Sequence, residues 1–365
     1  VKTNNKPSIA IAMSGGIDSS VAAAILVQEG YQVFGFTFLL WNVNEKELDN
    51  ESVTKAKHVC KIIGIPHYTL DLREEFNREV VNYFEEEYLA GRTPNPCVRC
   101  NARIKFRLLW KKAQEYGFEK IATGHYAKLE IDQDNSLQLL KGIDIHKDQS
   151  YFLWQIPDDL LRRTIFPLGG KTKVEVRAIA HQLGFPIAEE SESKDVCFIP
   201  DNDYRGWLQH RRPEVDEGLL AGEMVDTSGK VLGVHSGSHL FTIGQRKGLG
   251  LGGGRKLYVI SIDPLTHRVC VGDESELNCS EFTVGSVKCL TKELFDNPDD
   301  LQVKIRYRDP GVPATVKILD RNQGCQSTVI DSLLVSTIEP VKAVTPGQSA
   351  VFYRGDQVLG GGIIL

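Results

Sequence analysis

The chain has 365 residues, 41% hydrophobic and 25% charged, and its 43 basic and 48 acidic residues leave a formal charge of −5. At roughly 100–200 residues per domain, this length predicts two or three domains, and the supply of Leu, Ile, Val and Phe excludes a disordered chain. No apolar run approaches the ~20 residues of a membrane helix, and the first residues lack an apolar signal core, so a cytoplasmic location without membrane association is expected. Taken alone, the acidic balance argues against a nucleic-acid partner. The eight cysteines (60, 97, 100, 197, 270, 279, 289 and 325) are too sparse for a disulfide-stapled fold. In a reducing compartment they are expected to be thiols, metal ligands or redox catalysts.

Residues 8–13 form a short apolar run that reads as a buried parallel strand, and Val21–Glu29 as a helix of strong formers closed by Gly30. A second strand follows over 31–38. Between the first strand and the helix stands Ser14-Gly15-Gly16-Ile17-Asp18-Ser19. Its glycines let backbone N–H groups approach an anion, its serines add donors, and the helix start adds partial positive charge. Asp18 suits a site where Mg²⁺ meets pyrophosphate. The segment lacks the lysine of G-x-x-x-x-G-K-[ST], which excludes an ordinary P-loop NTPase. Together with the strand-helix context, it predicts an α/β nucleotide-binding domain with a parallel sheet.

A helix is expected over 52–64, a strand over 65–71 and a helix over 73–89, with Glu85-Glu86-Glu87 on a solvated face. Gly91 to Phe106 reads as a loop, turning helical near Asn101, that carries the C-x-x-C of Cys97 and Cys100. From Arg92 to Lys112 the chain has seven basic and no acidic residues, a setting that attracts phosphate and lowers a thiol pKa. Structural zinc is the competing reading of C-x-x-C, but it lacks a second ligand pair at suitable spacing. Ala122-Thr123-Gly124-His125-Tyr126 closes a strand at the edge where open α/β sheets bind ligands. Cys197, in Asp195-Val196-Cys197-Phe198-Ile199, reads on its own residues as a core thiol. Beyond Ile199 the α/β pattern gives way to a connector at 207–213. Short strands and a mobile glycine-rich basic loop (244–254) follow, then alternating runs such as 301–307 and 314–318 that predict a small antiparallel barrel.

The motifs S-G-G-I-D-S, T-P-N-P-C-x-x-C-N, A-T-G-H-Y, K-D-Q-S-Y-F-L, F-P-L-G, D-V-C-F-I and F-T-I-G-Q-R-K-G-L-G occur in this order. The first resembles the pyrophosphate loop of the ATP-pyrophosphatase superfamily. The full set resembles the bacterial tRNA-specific 2-thiouridylase family, from about Ile9 to Ile364. The resemblance implies three domains: a Rossmann-like catalytic domain (1–205), a small mixed central domain (206–278) and a C-terminal antiparallel β-barrel (279–365). It implies that ATP, with Mg²⁺, sits on Ala12, Met13, Ser14, Gly15, Gly16, Ile17, Asp18 and Ser19, with the adenosine near Phe38 and Gly124. It implies that the C2 oxygen of the wobble uridine in tRNAs for Lys, Glu and Gln is adenylated and then displaced by sulfur. Cys100 corresponds to the nucleophile and Cys197 to the persulfide carrier, with a disulfide formed in turnover. Asn95, Pro96 and Cys97 match the segment facing the target base. His125, Lys147, Asp148, Gln149, Arg306, Tyr307 and Gln348 match positions that contact tRNA, and the glycine-rich loop 244–254, which lacks the strand-helix context of a second phosphate cradle, is expected to face tRNA. A cysteine desulfurase or relay protein is the implied sulfur donor, and a monomer the simplest state. Many family members have Asp where this chain has Cys97. Cys97, Cys100 and Cys197 therefore also allow a [4Fe–4S] route. An ATP-pyrophosphatase acting on a small metabolite is the alternative function.

Overall fold

A computed structural model describes residues 6–41, 51–186, 196–199, 203–213, 218–252, 255–291, 294, 300–321 and 330–365. Cys325 and the polar run Glu190–Asp195 lie outside them. The chain divides into two compact units, neither continuous in sequence. One comprises Val1–Val80, Cys97–Lys194 and Asp356–Val358; the other comprises Val81–Pro96, Asp195–Gly355 and Leu359–Leu365.

Seven strands build the first unit: β1 (Ser8–Ala12), β2 (Gln32–Leu39), β3 (His67–Asp71), β4 (Lys120–Ala122), β5 (Ala127–Ile131), β6 (Leu137–Lys141) and β7 (Thr164–Ile165). Five form a parallel sheet in the order β3-β2-β1-β4-β7. Helix α1 (Ile17–Gln28) is buried from Val21 to Leu26, as expected of a helix apolar all round. It packs in one core with Ile9, Ile11, Val59 and Val176. Helix α2 (Glu51–Ile63) turns only Val53, Ala56, Val59 and Cys60 inward, an i, i+3, i+6, i+7 stripe. The chain runs from β1 through α1 to β2 on one side, while β4 pairs on the other. The crevice at the strand C-termini, where ligands bind in such sheets, therefore opens beside the Ser14–Ser19 loop. β5 and β6 make a hairpin, which Gln357 and Val358 extend by pairing with Leu140 and Leu139.

The second unit holds two β-structures. β8 (Gly222–Asp226), β9 (Val231–His235), β10 (Tyr258–Ile262) and β11 (Val269–Gly272) form a mixed sheet in the order β10-β11-β8-β9. β12 (Asn278–Cys289), β13 (Gln302–Lys304), β14 (Val312–Arg321), β15 (Ile330–Lys342), β16 (Ser349–Arg354) and β17 (Gln357–Ile364) follow. Their order is β12-β15-β14-β13-β16-β17, and β17 pairs back onto β12 at Val284↔Ile364. This closes an antiparallel barrel around Leu333, Val335, Phe352 and Leu359 and removes its sheet edges. The strand expected over 301–307 keeps only Gln302–Lys304; Ile305–Arg308 turn away.

Three sequence expectations are corrected. Residues 207–213 are mostly not a connector. The helix Tyr204–Arg211, capped by Asp203 on the Gly206 N–H at 3.1 Å, covers 207–211. It packs Trp207 against Phe84 and Phe198 at 5.8 and 5.4 Å. Glu85 is not solvated but 2% exposed, its carboxylate clamped by Arg211 and by Arg212 at 2.7 Å. A buried carboxylate needs such partners, because leaving water unpaired costs several kcal/mol. The acidic and basic stretches are also less segregated than the sequence suggests. Arg92 binds Glu87 through two bonds of 2.7 and 2.5 Å, and Arg99 Nε donates to the Glu79 carbonyl. Arg103, Arg107 and Lys111 stay exposed and make no ion pair among the described residues. Arg107 and Lys111, four apart on the helix Phe106–Glu115, share one face of it.

Candidate active site

The Ser14–Ser19 loop is a pre-shaped anion cradle. Ser19 Oγ accepts from the Ser14 N–H at 3.1 Å and donates to the Gly16 carbonyl at 3.1 Å. Ser14 Oγ and Ser19 Oγ are 3.1 Å apart. Ser20 Oγ donates to the Gly16 carbonyl at 2.9 Å. Gly15 has φ +77°, and a Cβ there would lie 2.5 Å from the Ser52 carbonyl. Gly124 is fixed differently: its Cβ would lie 2.8 Å from the Asp18 carbonyl carbon and the Ser19 nitrogen. Only glycine lets the turn after β4 approach the start of α1 so closely. Phe38, expected near the adenosine, is half-buried near the end of β2.

Asp18 is the centre of a constellation that reading the sequence missed. Lys173 Nζ donates to both carboxylate oxygens, at 2.7 and 2.9 Å, and Tyr126 Oη donates to Oδ1 at 2.7 Å. Lys173 is 7% exposed. It opens the helix Lys173–Gln182, whose start is fixed by a Thr172–Glu175 capping box, and its own N–H donates to Asp144 at 2.9 Å. The readable signal was Thr172-x-x-Glu175, which marks a helix start and so places Lys173 on its first turn. The expectation of Asp18 as a helper of Mg²⁺ meets a carboxylate already neutralised by an ammonium group.

Tyr126 also joins motifs distant in sequence. Its N–H donates to Gln149 Oε1 at 3.1 Å, and its carbonyl accepts from the Gln149 N–H at 2.8 Å. Asp148 is buried. It accepts from the N–H groups of Gly142 and Ser150 at 3.1 Å and from Ser150 Oγ at 3.0 Å. Two residues expected to touch tRNA thus spend side-chain oxygens inside the protein, Asp148 on its own turn and Gln149 on Tyr126, while Lys147 is half-buried beside them. Two residues beyond Ser150, the Phe152 carbonyl accepts from Asn101 Nδ2 at 3.2 Å. Asn101 follows Cys100 directly, so hydrogen bonds run from the S-G-G-I-D-S loop to C-x-x-C-N through Tyr126 and the K-D-Q-S-Y-F segment.

The C-x-x-C is helical rather than in a loop. Pro96 starts a helix that contains both cysteines and widens into a π turn over Asn101–Lys105. Proline at a first helical position and a π turn at a functional site both have physical precedent. Cys100 is 6% exposed and Cys97 is exposed. The expectation of a lowered thiol pKa does not hold for Cys97. Surrounding protein pushes it up, and the Lys105 cation opposes this only in part. Lys105 also acts on His125, whose ring packs by Phe106 and Phe166 at 5.7 and 6.1 Å and shares a 2.8 Å hydrogen bond with Thr123 Oγ1. Burial first, and Lys105 second, push the imidazole down to about 3. His125 is therefore neutral in the folded protein near pH 7. Its pKa is depressed relative to the unfolded chain, so its contribution to stability is complete above about 6.5 and is lost as pH falls toward 3. His125→Gln should shift acid unfolding, followed by tryptophan fluorescence, to lower pH.

In the second unit, Cys197 lies exposed on a turn closed by the Ile199 N–H on the Val196 carbonyl, with Phe198 buried beneath. It is not the core thiol that its own residues suggested. Gln348 Nε2 donates to the carbonyls of Thr93 and Pro94 at 2.9 and 3.1 Å, and the Thr93 N–H donates to the Pro346 carbonyl at 2.8 Å. This strap holds the segment leading to Asn95 and Pro96. Arg306 is exposed, with one guanidinium nitrogen on the Ala343 carbonyl at 2.7 Å, and Tyr307 is half-buried. Among the described residues, no three His, Cys, Asp or Glu side chains gather as ligands for a metal.

Residues 7–201 match the tRNA methyl transferase HUP domain, 213–273 the corresponding PRC-barrel domain, and 279–364 the aminomethyltransferase β-barrel domain. The tRNA-specific 2-thiouridylase MnmA of Geobacter metallireducens is 44% identical over 98% of this chain and 96% of its own length. That of Carboxydothermus hydrogenoformans is 42% identical over 98% and 97%. The chain belongs to the tRNA-specific 2-thiouridylase family. A solved 4-thiouridine synthetase–RNA complex with bound ATP is similar over 57% of this chain and 51% of its own, with 18% identity and a TM-score of 0.36. Within the 2-thiouridylase chain, Lys173, Tyr126, Lys105 and Asn101 are the site residues that sequence reasoning overlooked. Each acts through a partner 20 or more positions away in sequence.

Proposed function

We propose that this chain is an ATP-dependent tRNA 2-thiouridylase. The observation that carries the reading is the hydrogen-bonded path from the anion cradle through Tyr126 and Gln149 to Asn101 beside Cys100. A small-molecule ligase needs the cradle but not a C-x-x-C tied to it. In the proposed reaction, ATP, accompanied by Mg²⁺, binds the cradle with its adenosine toward Phe38 and Gly124. The uridine C2 oxygen attacks the α-phosphorus, and pyrophosphate leaves. The terminal sulfur of a Cys197 persulfide forms the C2–S bond as the C2–O bond breaks and AMP departs. Cys100 then attacks Cys197 Sγ, which frees the thiocarbonyl and closes a disulfide that an external thiol must reduce. Lys173, whose buried ammonium is bonded to Asp18 within the loop, would put a fixed positive charge beside the leaving pyrophosphate, where a cation lowers a barrier. The target uridine must leave its stack, a cost of a few kcal/mol that is least in a single-stranded loop.

The catalytic, central and barrel domains are assigned to 1–205, 206–278 and 279–365, supported by the three matched families. The sulfur donor is a persulfide-bearing protein, for which the exposed turn at Cys197 offers access, and the chain acts as a monomer in the cytoplasm. Incubation with unmodified tRNA, ATP, Mg²⁺ and a persulfide donor should yield 2-thiouridine in the digested RNA. Absence of both that nucleoside and tRNA-stimulated pyrophosphate release would overturn the reading.

A further inference from the structure

The turn that carries Cys197 is seated on an aromatic triangle within the second unit. Cys197 is exposed, while the next side chain, Phe198, is 1% exposed. The Phe198 ring meets Phe84 edge-on at 5.3 Å and Trp207 at 5.4 Å, and Phe84 meets Trp207 at 5.8 Å. Edge-to-face aromatic contacts of this kind are geometrically specific as well as apolar. Burying Phe198 in the triangle therefore fixes where its neighbour Cys197 stands.

The Glu85 clamp holds the same seat from the next position in sequence. Arg211 and Arg212 each bind one oxygen of the buried carboxylate, and the Arg211 guanidinium lies over the Trp207 ring at 5.3 Å. Stability alone does not require such a clamp, since apolar side chains of equal volume in place of a buried ion triad are often neutral or stabilising. What charge-assisted bonds add is direction. Two guanidinium groups on one carboxylate fix the register of the helix Tyr204–Arg211 against the helix Asn82–Leu89. The second of these helices carries both Phe84 and Glu85, and its hydrogen bonding continues into the segment leading to Asn95 and Pro96. The N–H groups of Ala90, Gly91 and Arg92 donate to the carbonyls of Glu86, Tyr88 and Glu87 at 3.0, 3.0 and 2.9 Å, and Thr93 is tied in turn to Pro346. One hydrogen-bonded element thus has the seat of Cys197 on its side and the N-P-C segment at its end.

We propose that Phe84, Phe198, Trp207 and the Glu85–Arg211–Arg212 clamp are positioning residues for sulfur transfer. They set where the Cys197 persulfide stands relative to the segment facing the uridine. They act through Cys197, and their role rests on the thiouridylase reading. A misplacement of about 1 Å between reacting atoms can cost ~10²-fold in rate. Adenylation belongs to the cradle and does not use the seat, so the two half-reactions should separate.

The test follows one turnover of the full-length protein, loaded with persulfide by a cysteine desulfurase and free cysteine, on unmodified tRNA with ATP and Mg²⁺. Phe198→Ala and Glu85→Gln should each slow 2-thiouridine formation about 10- to 100-fold, with pyrophosphate release within about twofold of wild type. Mass spectrometry should show Cys197 loaded as fully as in the wild type. Phe198→Leu, which keeps apolar volume in the triangle, and Glu85→Asp, which keeps the charge, should recover part of the rate. Where either stronger variant fails to fold, this milder pair carries the same comparison. Leu333→Val, in the barrel core, should lower the melting temperature and leave both half-reactions unchanged per folded molecule. Wild-type thiolation per folded molecule in the seat variants would make the seat a structural strut and overturn the inference while the enzyme reading stands. Equal losses of pyrophosphate release and thiolation, or a loss of Cys197 loading that accounts for the lost thiolation, would overturn it as well. A wild type that forms no 2-thiouridine overturns the enzyme reading and the positioning role together.

Discussion

Cys100→Ser should lower 2-thiouridine formation by ~10³-fold or more, the scale seen when an enzyme loses its nucleophile. Cys100 is nearly buried, and serine differs from it by one atom, so the melting temperature should change little. The informative measurement is the split between half-reactions. If Cys100 acts only after adenylation, a first turnover of tRNA-stimulated pyrophosphate release survives in Cys100→Ser while thiolation does not. Loss of both half-reactions in a folded variant would instead place Cys100 in ATP or base binding. Cys197→Ser should show the same split. Its exposed turn makes a folding defect an unsuitable explanation for lost sulfur transfer.

Lys173→Met should show the opposite pattern. Among the described residues, removing the ammonium leaves the Asp18 carboxylate with Tyr126 as its remaining side-chain hydrogen-bond donor. It also takes a positive charge from beside the loop on which pyrophosphate would form. A fall of about 10²–10³-fold in the rate of pyrophosphate release is expected, the cost of deleting one preorganised electrostatic partner. Lys173→Arg should recover part of it. The double variant Asp18→Asn/Lys173→Met should lose less than the sum of the two single losses, because each single change strands the other's charge. If Lys173 were only a structural strut, its loss would lower the melting temperature while activity per folded molecule stayed near wild type.

Local patterns carried the N-terminal fold. The buried run at 8–13, the glycine-serine loop and the apolar helix behind it are contiguous, and each dictates its neighbour's geometry. The barrel was legible through alternation, although Ile305–Arg308 break the pattern that alternation predicted because the chain turns there. Pairings across long separations were not legible. Nothing near Asp18 announces a lysine 155 positions away, and nothing in Glu85-Glu86-Glu87 distinguishes the one carboxylate that Arg211 and Arg212 bury. Pro94 and Pro96 suggested a loop around the cysteines, yet proline is tolerated at a helix start, and there Pro96 begins the helix. Cys97 misled for a related reason. Counting positive neighbours along the chain predicts a lowered pKa, whereas desolvation by the protein packed around the thiol outweighs the Lys105 cation and raises it.

The two units exchange segments. Residues 81–96 belong with the barrel, and residues 356–358 return to the N-terminal unit as partners of Leu139 and Leu140. The first unit's segment at 356–358 is therefore synthesised only after every strand of the second unit from β8 to β16. The β6 edge stays unpaired through most of translation, and an open edge is a template for mispairing. A gene cut between the catalytic and central domains would strip each half of backbone that the other carries. Expression as separate fragments should fail where expression of the intact chain succeeds.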